Sequence, residues 1–286
     1  MTKSLLFSLL LLVGGASVSY AQETTIAVKP TVEKTDKDIL TFLKGLTIGG
    51  VVQGQWQLAQ EKGMDGGPTS GGAFSPNTDN RFMLRRGYLK VGYGSKYFSS
   101  TIQINATAEG ISLVNAFAQV NTASKSASLR MGSIYKPFGY FVMYPSALRL
   151  TPEVSRVEQT LFPDATAVGA RVMLRDTRDK WTRNFHLDLS YFTGNGFKSD
   201  ELASRDFIGK LEYVRPIGDF TVGGMFSVLA GSLANVQNES FSFNGDRYVA
   251  KTDVAGQRIS KAFYSIGATV GLNSILGTTK VFGEYV

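Results

Sequence analysis

Strict apolar–polar alternation, sustained over about nine to thirteen residues at a time, recurs along this chain and limits its fold more than any other feature. A period of two is the period of a strand, because successive side chains point to opposite faces. From Leu46 the even positions Leu46, Ile48, Gly50, Val52, Gly54, Trp56 and Leu58 fill one face, while Thr47, Gly49, Gln53, Gln55 and Gln57 fill the other. Alternation alone fits a soluble sandwich as well as a barrel. Length separates them: soluble strands average about five or six residues, whereas a tilted strand crossing hydrocarbon needs about nine to eleven.

The same zigzag returns at Arg81–Tyr93, Phe98–Thr107, Val114–Asn121, Leu129–Lys136, Ala167–Leu174, Phe185–Phe192, Phe207–Tyr213, Phe220–Ala230 and Ala262–Leu272. A further strand begins near Thr278, for about eleven in all. Val114, Ala116, Ala118 and Val120 are expected on the apolar stripe against Asn115, Phe117, Gln119 and Asn121. Short connections at Gly94–Lys96, Thr122–Ser126 and Pro216–Asp219 contrast with long ones at Glu61–Asn80, Tyr140–Ala165 and Gly231–Gln257. Asn195-Gly196 is a further turn signal. Short turns at one end and long loops at the other are the habit of outer-membrane barrels. Tyr93, Phe98, Tyr191, Tyr213 and Phe220 lie near the ends of apolar stripes, where interfacial aromatic girdles belong.

The chain ends refine this. Lys3, the apolar run Leu5–Val13 and Ser19-Tyr20-Ala21 form a secretory signal cleaved after residue 21. The apolar run is nearer ten residues than the roughly twenty of a membrane-spanning helix, and no later run approaches that length. Residues 22–44 are polar, carry Pro30, and read as a periplasmic lead-in with a short helix at Asp36–Leu43. Residues 45–286 are the barrel domain. The sequence stops within an unfinished strand at Gly283–Val286, so the barrel is expected to be incomplete at its C-terminus.

Composition agrees with the pattern: 31 glycines and 31 phenylalanines plus tyrosines suit a barrel, and the absence of cysteine excludes disulfides and thiolate metal sites. The formal charge of +7 falls to +6 when Lys3 leaves with the signal. That excess suits either an anion-attracting wall or a surface near anionic head groups; no nucleic-acid partner and no cofactor is indicated.

The longest departure from alternation runs between Lys136-Pro137-Phe138-Gly139 and Ala167. Proline removes a ladder donor there and glycine permits an unusual turn, so the strand ends. The excursion contains Pro145, Pro152 and Pro163 with Tyr140, Phe141, Tyr144, Arg149, Glu153, Arg156 and Glu158. A structureless segment of such length ordinarily has a function, and this one is expected to fold into the barrel mouth and narrow it. The candidate pore-lining and constriction residues are Arg86, Lys90, Arg130, Lys136, Arg149, Arg156 and Arg171. Cations in a low-dielectric constriction favour anions without catalysis. The plainer alternative is that they solvate the lumen or pair with Glu153, Glu158 and Asp188. His186 beside Asp188 reads as a wall contact, because no serine elbow, zinc cluster or phosphate-binding glycine loop accompanies it.

Asn80-Arg81-Phe82-Met83-Leu84-Arg85-Arg86-Gly87-Tyr88-Leu89, Leu129-Arg130-Met131-Gly132 through Lys136-Pro137-Phe138-Gly139, Leu161-Phe162-Pro163 and Val168-Gly169-Ala170-Arg171 together resemble the phosphate-selective porin O and P family. The resemblance implies a transmembrane antiparallel β-barrel of about sixteen strands, usually a homotrimer, with an inward-folded loop and a basic constriction. The expected function is passive diffusion of small hydrophilic solutes or ions across the bacterial outer membrane, with anion or phosphate preference, and no enzymatic activity. The alternatives are a non-conducting surface barrel for adhesion or assembly, and an outer-membrane barrel hydrolase.

Overall fold

The computed structural model describes residues 24–26, 43–60, 62–63, 74–149, 153–162, 165–178, 181–194, 196, 203–235, 239–252, 255–275 and 277–286. The leader, most of the lead-in, Pro152, Pro163 and Asn195 lie outside the described residues. Fourteen strands are formed among the described residues, with every adjacent pair antiparallel. They are β1 (Thr24–Ile26), β2 (Leu46–Leu58), β3 (Asn80–Gly94), β4 (Phe98–Thr107), β5 (Gly110–Asn121), β6 (Ala127–Tyr135) and β7 (Thr166–Arg175). Then come β8 (Phe185–Thr193), β9 (Arg205–Ile217), β10 (Phe220–Ala234), β11 (Glu239–Phe243), β12 (Tyr248–Thr252), β13 (Arg258–Ser274) and β14 (Gly277–Tyr285). One sheet takes them in chain order except β11 and β12, which form a separate hairpin.

That hairpin and the short β1 are the main departures from the sequence reading. Gly231–Gln257 is not a plain loop: β10 and β13 continue as a pair to Ala234 and Arg258, and the hairpin stands on their extension. Within the expected lead-in, Thr24–Ile26 pairs along the edge of β2.

Burial runs opposite to that of a soluble sheet. Val52, Phe82 and Val281 are 80%, 85% and 68% exposed, and Trp56, Ile102, Tyr191, Phe226, Ile266 and Val270 lie on the same outer side. The other face holds Arg86, Asn115, Arg171, Asp188, Ser190, Asp206, Lys210 and Ser227 in buried positions. An apolar exterior over a polar interior is the arrangement lipid demands, since the ladder hides the backbone and the outer face meets acyl chains.

Two bulges adjust the alternation. Gln53 pairs with Arg86 and Gly54 with Leu84, so Arg85 is the extra residue in β3. Gln103 pairs with Asn115 and Ile104 with Leu113, so Val114 is the extra residue in β5. The apolar stripe of β5 runs through Ile111, Leu113, Ala116, Ala118 and Val120, and Val114 stands at the bulge without a partner on β4.

The inward excursion shows that the sheet curls. Tyr144 stacks on Phe282 of β14 at 5.2 Å between ring centroids, while Ser146, two residues on, donates its hydroxyl to Tyr88 Oη of β3 at 3.0 Å. On a flat sheet β3 and β14 would stand roughly 40 Å apart at the usual strand spacing. The sheet is curled but not closed: β1 and β14 are its edges among the described residues.

The excursion leaves β6 at Lys136 and turns at Gly139, whose φ of +62° favours glycine. It then forms the short helix α1 (Arg156–Leu161) before rejoining the wall at β7. Ser155 caps α1, its hydroxyl accepting the Glu158 amide. Phe138, Val142 and Phe162 of the excursion pack with Ile134, Ala167, Phe192, Ile208 and Leu229 of the inner wall. Gly132 also serves this region: its φ is +128°, and a Cβ there would meet the Ala116 carbonyl oxygen at 2.2 Å.

Candidate functional site

The wall and the excursion enclose two joined concavities. The larger, about 690 Å³, is lined by Arg81, Arg85 and Arg86 of β3 facing Arg149, Glu153 and Glu158 of the excursion. The smaller, about 370 Å³, has Lys90, Arg130 and Arg171 among its lining residues, with no carboxylate. Tyr88, Tyr135 and Ser146 line both, so the Ser146–Tyr88 hydrogen bond stands where one space gives onto the other.

The bulge explains the density of cation on β3. Strict alternation would send one of two consecutive arginines into lipid, at a cost of about 2–4 kcal/mol near the midplane. The extra residue lets both turn inward. Arg85 grips Glu153 with two bonds, Nε to Oε1 at 2.5 Å and Nη2 to Oε2 at 2.7 Å. This hydrogen-bonded pairing holds the Glu153 carboxyl below its ordinary range. Arg86 donates to Gln53 Oε1 at 2.5 Å.

Across the gap, Arg149 Nη2 lies 3.0 Å from Glu158 Oε1. Burial nonetheless raises the Glu158 carboxyl, outweighing the nearby arginine. The two loop glutamates are thus driven in opposite directions.

In the smaller space Arg130 and Arg171 face one another directly on β6 and β7. Like charges in that register repel. Each has its own support: Arg130 donates twice to Gln119 Oε1 and lies 4.1 Å over the Phe117 ring, while Arg171 reaches Asp188 Oδ2 at 2.6 Å. Lys90, opposite Gln103, faces the same space.

Of the sequence candidates, the structure thus gathers Arg86, Lys90, Arg130, Arg149 and Arg171 around the two concavities. Arg156 opens α1, and its side chain lies outside the described residues. Lys136 stands apart, buried, with Nζ 3.2 Å from Asp206 Oδ2. Lys261 approaches the other oxygen of that fully buried aspartate at 2.9 Å. Lys136 is therefore placed as an anchor of the excursion. Arg81 and Arg85 were not among the candidates because strict parity from Leu89 puts them on the lipid side; only the Arg-Arg doublet hints at a bulge. Asp206, Lys210 and Glu284 were also missed, their partners being remote in sequence.

No family model matches the sequence, and neither does any curated protein. Among solved structures, the Pseudomonas putida outer-membrane porin OprB is similar, with a TM-score of 0.52 at 11% identity. The match covers 80% of this chain and 61% of that porin, so the chain spans less than two thirds of its length. The likeness establishes a fold: an all-β antiparallel sheet of the porin barrel type, here not closed.

Proposed function

We propose that this protein is an outer-membrane porin through which small hydrophilic solutes and ions diffuse passively, with a mild preference for anions. The supporting observation is the pairing of an apolar exterior with a cation-rich interior that the excursion crosses from β14 to β3. The likeness to OprB supports the same reading. The larger space sets arginines against Glu153 and Glu158, whereas the smaller carries cations alone, so the anion preference is assigned mainly to Lys90, Arg130 and Arg171. Phosphate as a favoured anion and a homotrimer in outer-membrane lipid complete the proposal, drawn from the resemblance to the phosphate-selective porins, together with a signal cleaved after Ala21, drawn from Lys3, the apolar run Leu5–Val13 and Ser19-Tyr20-Ala21.

The test is reversal potential in asymmetric salt across planar bilayers. Anion preference is expected, falling when Arg149, Arg156 and Arg171 are neutralised together. Unchanged selectivity in that triple variant removes the constriction assignment, and an inserted protein that never conducts removes the porin reading.

A second reading, a surface barrel for adhesion or assembly, is favoured by one feature. Phe241, Phe243 and Tyr248 of the β11–β12 hairpin are 68%, 60% and 73% exposed. Partner binding that survives removal of residues 236–257 would end it.

A further inference from the structure

The excursion crosses the lumen, and its direction is fixed where it leaves the wall. After the left-handed turn at Gly139, the amides of Tyr140 and Phe141 both donate to Glu284 Oε2, at 2.8 and 3.1 Å. Successive amides aimed at one point make a small anion cradle. Here the anion is a side chain of the wall. Glu284 Oε1 accepts the Ser265 hydroxyl at 2.7 Å, which orients the carboxylate from β13.

The neighbours of this contact reinforce it. Phe282, two residues earlier on β14, meets the rings of Tyr140, Phe141 and Tyr144 at 6.0, 5.1 and 5.2 Å. Lys210 Nζ donates to the Gly139 carbonyl at 3.0 Å, and the Gly139 amide donates to Ser227 Oγ at 3.0 Å. Each contact holds the segment entering the lumen, and the Phe141 carbonyl in turn accepts from Arg149 Nη2 at 3.5 Å.

We infer that Glu284 is the positioning residue of the inward loop: by taking the Tyr140 and Phe141 amides it aims the chain toward β3 and so sets the gap between Arg149 and the arginines of β3. Its effect on current rests on the porin reading; its effect on the loop does not. Glutamine at 284 keeps the size of the side chain but offers one oxygen and an NH₂ where the wild type offers two oxygens. It can still accept the amides on its oxygen and donate to Ser265 Oγ, but it lacks the negative charge that strengthens the amide bonds.

The experiment uses the absence of native cysteine. Val142, a loop residue buried where the loop docks on the wall, is replaced by cysteine in the otherwise intact protein in detergent, and the rate of modification by a small thiol reagent reports undocking. Adding Glu284→Gln is expected to raise that rate by roughly tenfold to a hundredfold, from the weight of hydrogen bonds to a charged group. Ser265→Ala, which removes only the bond that orients the carboxylate, is expected to raise the rate by clearly less than Glu284→Gln. In bilayers Glu284→Gln is expected to add flicker between conductance levels, with Glu284→Asp intermediate. An unchanged labelling rate in Glu284→Gln overturns the assignment, as does an equal rise in Ser265→Ala, which marks a loosened wall instead. A protein that labels as expected but never conducts removes the porin reading and leaves the positioning role intact.

Discussion

The two flanks of the inward loop are built on opposite principles. Toward β8–β10 and β13 it is dry: Phe138 packs at 4.9 Å from Phe162, which lies 5.5 Å from Phe263, and Asp206 is sealed between Lys136 and Lys261. Toward β2–β7 it is polar and open, with arginines around two spaces and pairs such as Arg85–Glu153 left about a quarter exposed. The contrast shows how one segment can be both fixed and charged. Buried contacts on one side hold it, leaving the charges on the other open to solvent.

Removing one partner from the dry side should therefore hurt most. Asp206→Ala leaves two buried ammonium groups facing each other and is expected to cost about 3–5 kcal/mol, read as a fall in the denaturation midpoint of the detergent-solubilised protein. A near-wild-type midpoint would show that water reaches this triad and that the flank is not dry. Phe138→Ala is expected to cost about 3–5 kcal/mol in the same assay, by opening a cavity in the aromatic stack. On the outer surface, Val270→Arg is expected to cost about 2–4 kcal/mol on folding into bilayers, whereas Thr269→Arg, one residue away on the lumen side, acts on conductance.

The polar flank should respond weakly in stability and visibly in pH. Glu153→Gln is expected to cost no more than about 1 kcal/mol, because its pair is partly exposed. The Glu153 carboxyl sits below its ordinary value of 4.5, so the stability of this tether is complete above that value and is lost as pH falls through the depressed one. Glu158 has the opposite sign: its raised value makes the folded protein take up that proton first, adding stability on acidification while ending the Arg149 pair. Current noise followed downward in pH should show two steps, the later one absent in Glu153→Gln. A single step shared by both proteins would break the distinction.

Much of this was legible in the sequence because lipid imposes a simple rule. The apolar stripes of β2, β9 and β10 fall where alternation puts them, and the Gly132 to Gly139 motif marks a strand with a cramped glycine and the turn into the lumen. The inward path of the excursion was also readable, since so long a break seldom lacks a role. Its anchors were not. Glu284 and Asp206 meet partners 144 and 70 residues away, and no local pattern encodes which carboxylate will serve as an anchor. The helix α1 left a signal that went unread, Ser155-Arg156-Val157-Glu158, the spacing of a capping box. Bulges defeat parity itself, which is why Arg85 was overlooked.

The bulge in β3 makes the charge of the inner face adjustable by one residue. Because Leu84 faces out and Arg86 faces in, excising Arg85 leaves a regular ladder whose outward face is unaltered. The lumen then loses one cation and the loop loses its grip through Glu153, while the membrane meets the same hydrocarbon surface as before. A lineage carrying such a bulge can gain or shed a positive charge by insertion or deletion of one codon without shifting the register of the rest of the strand.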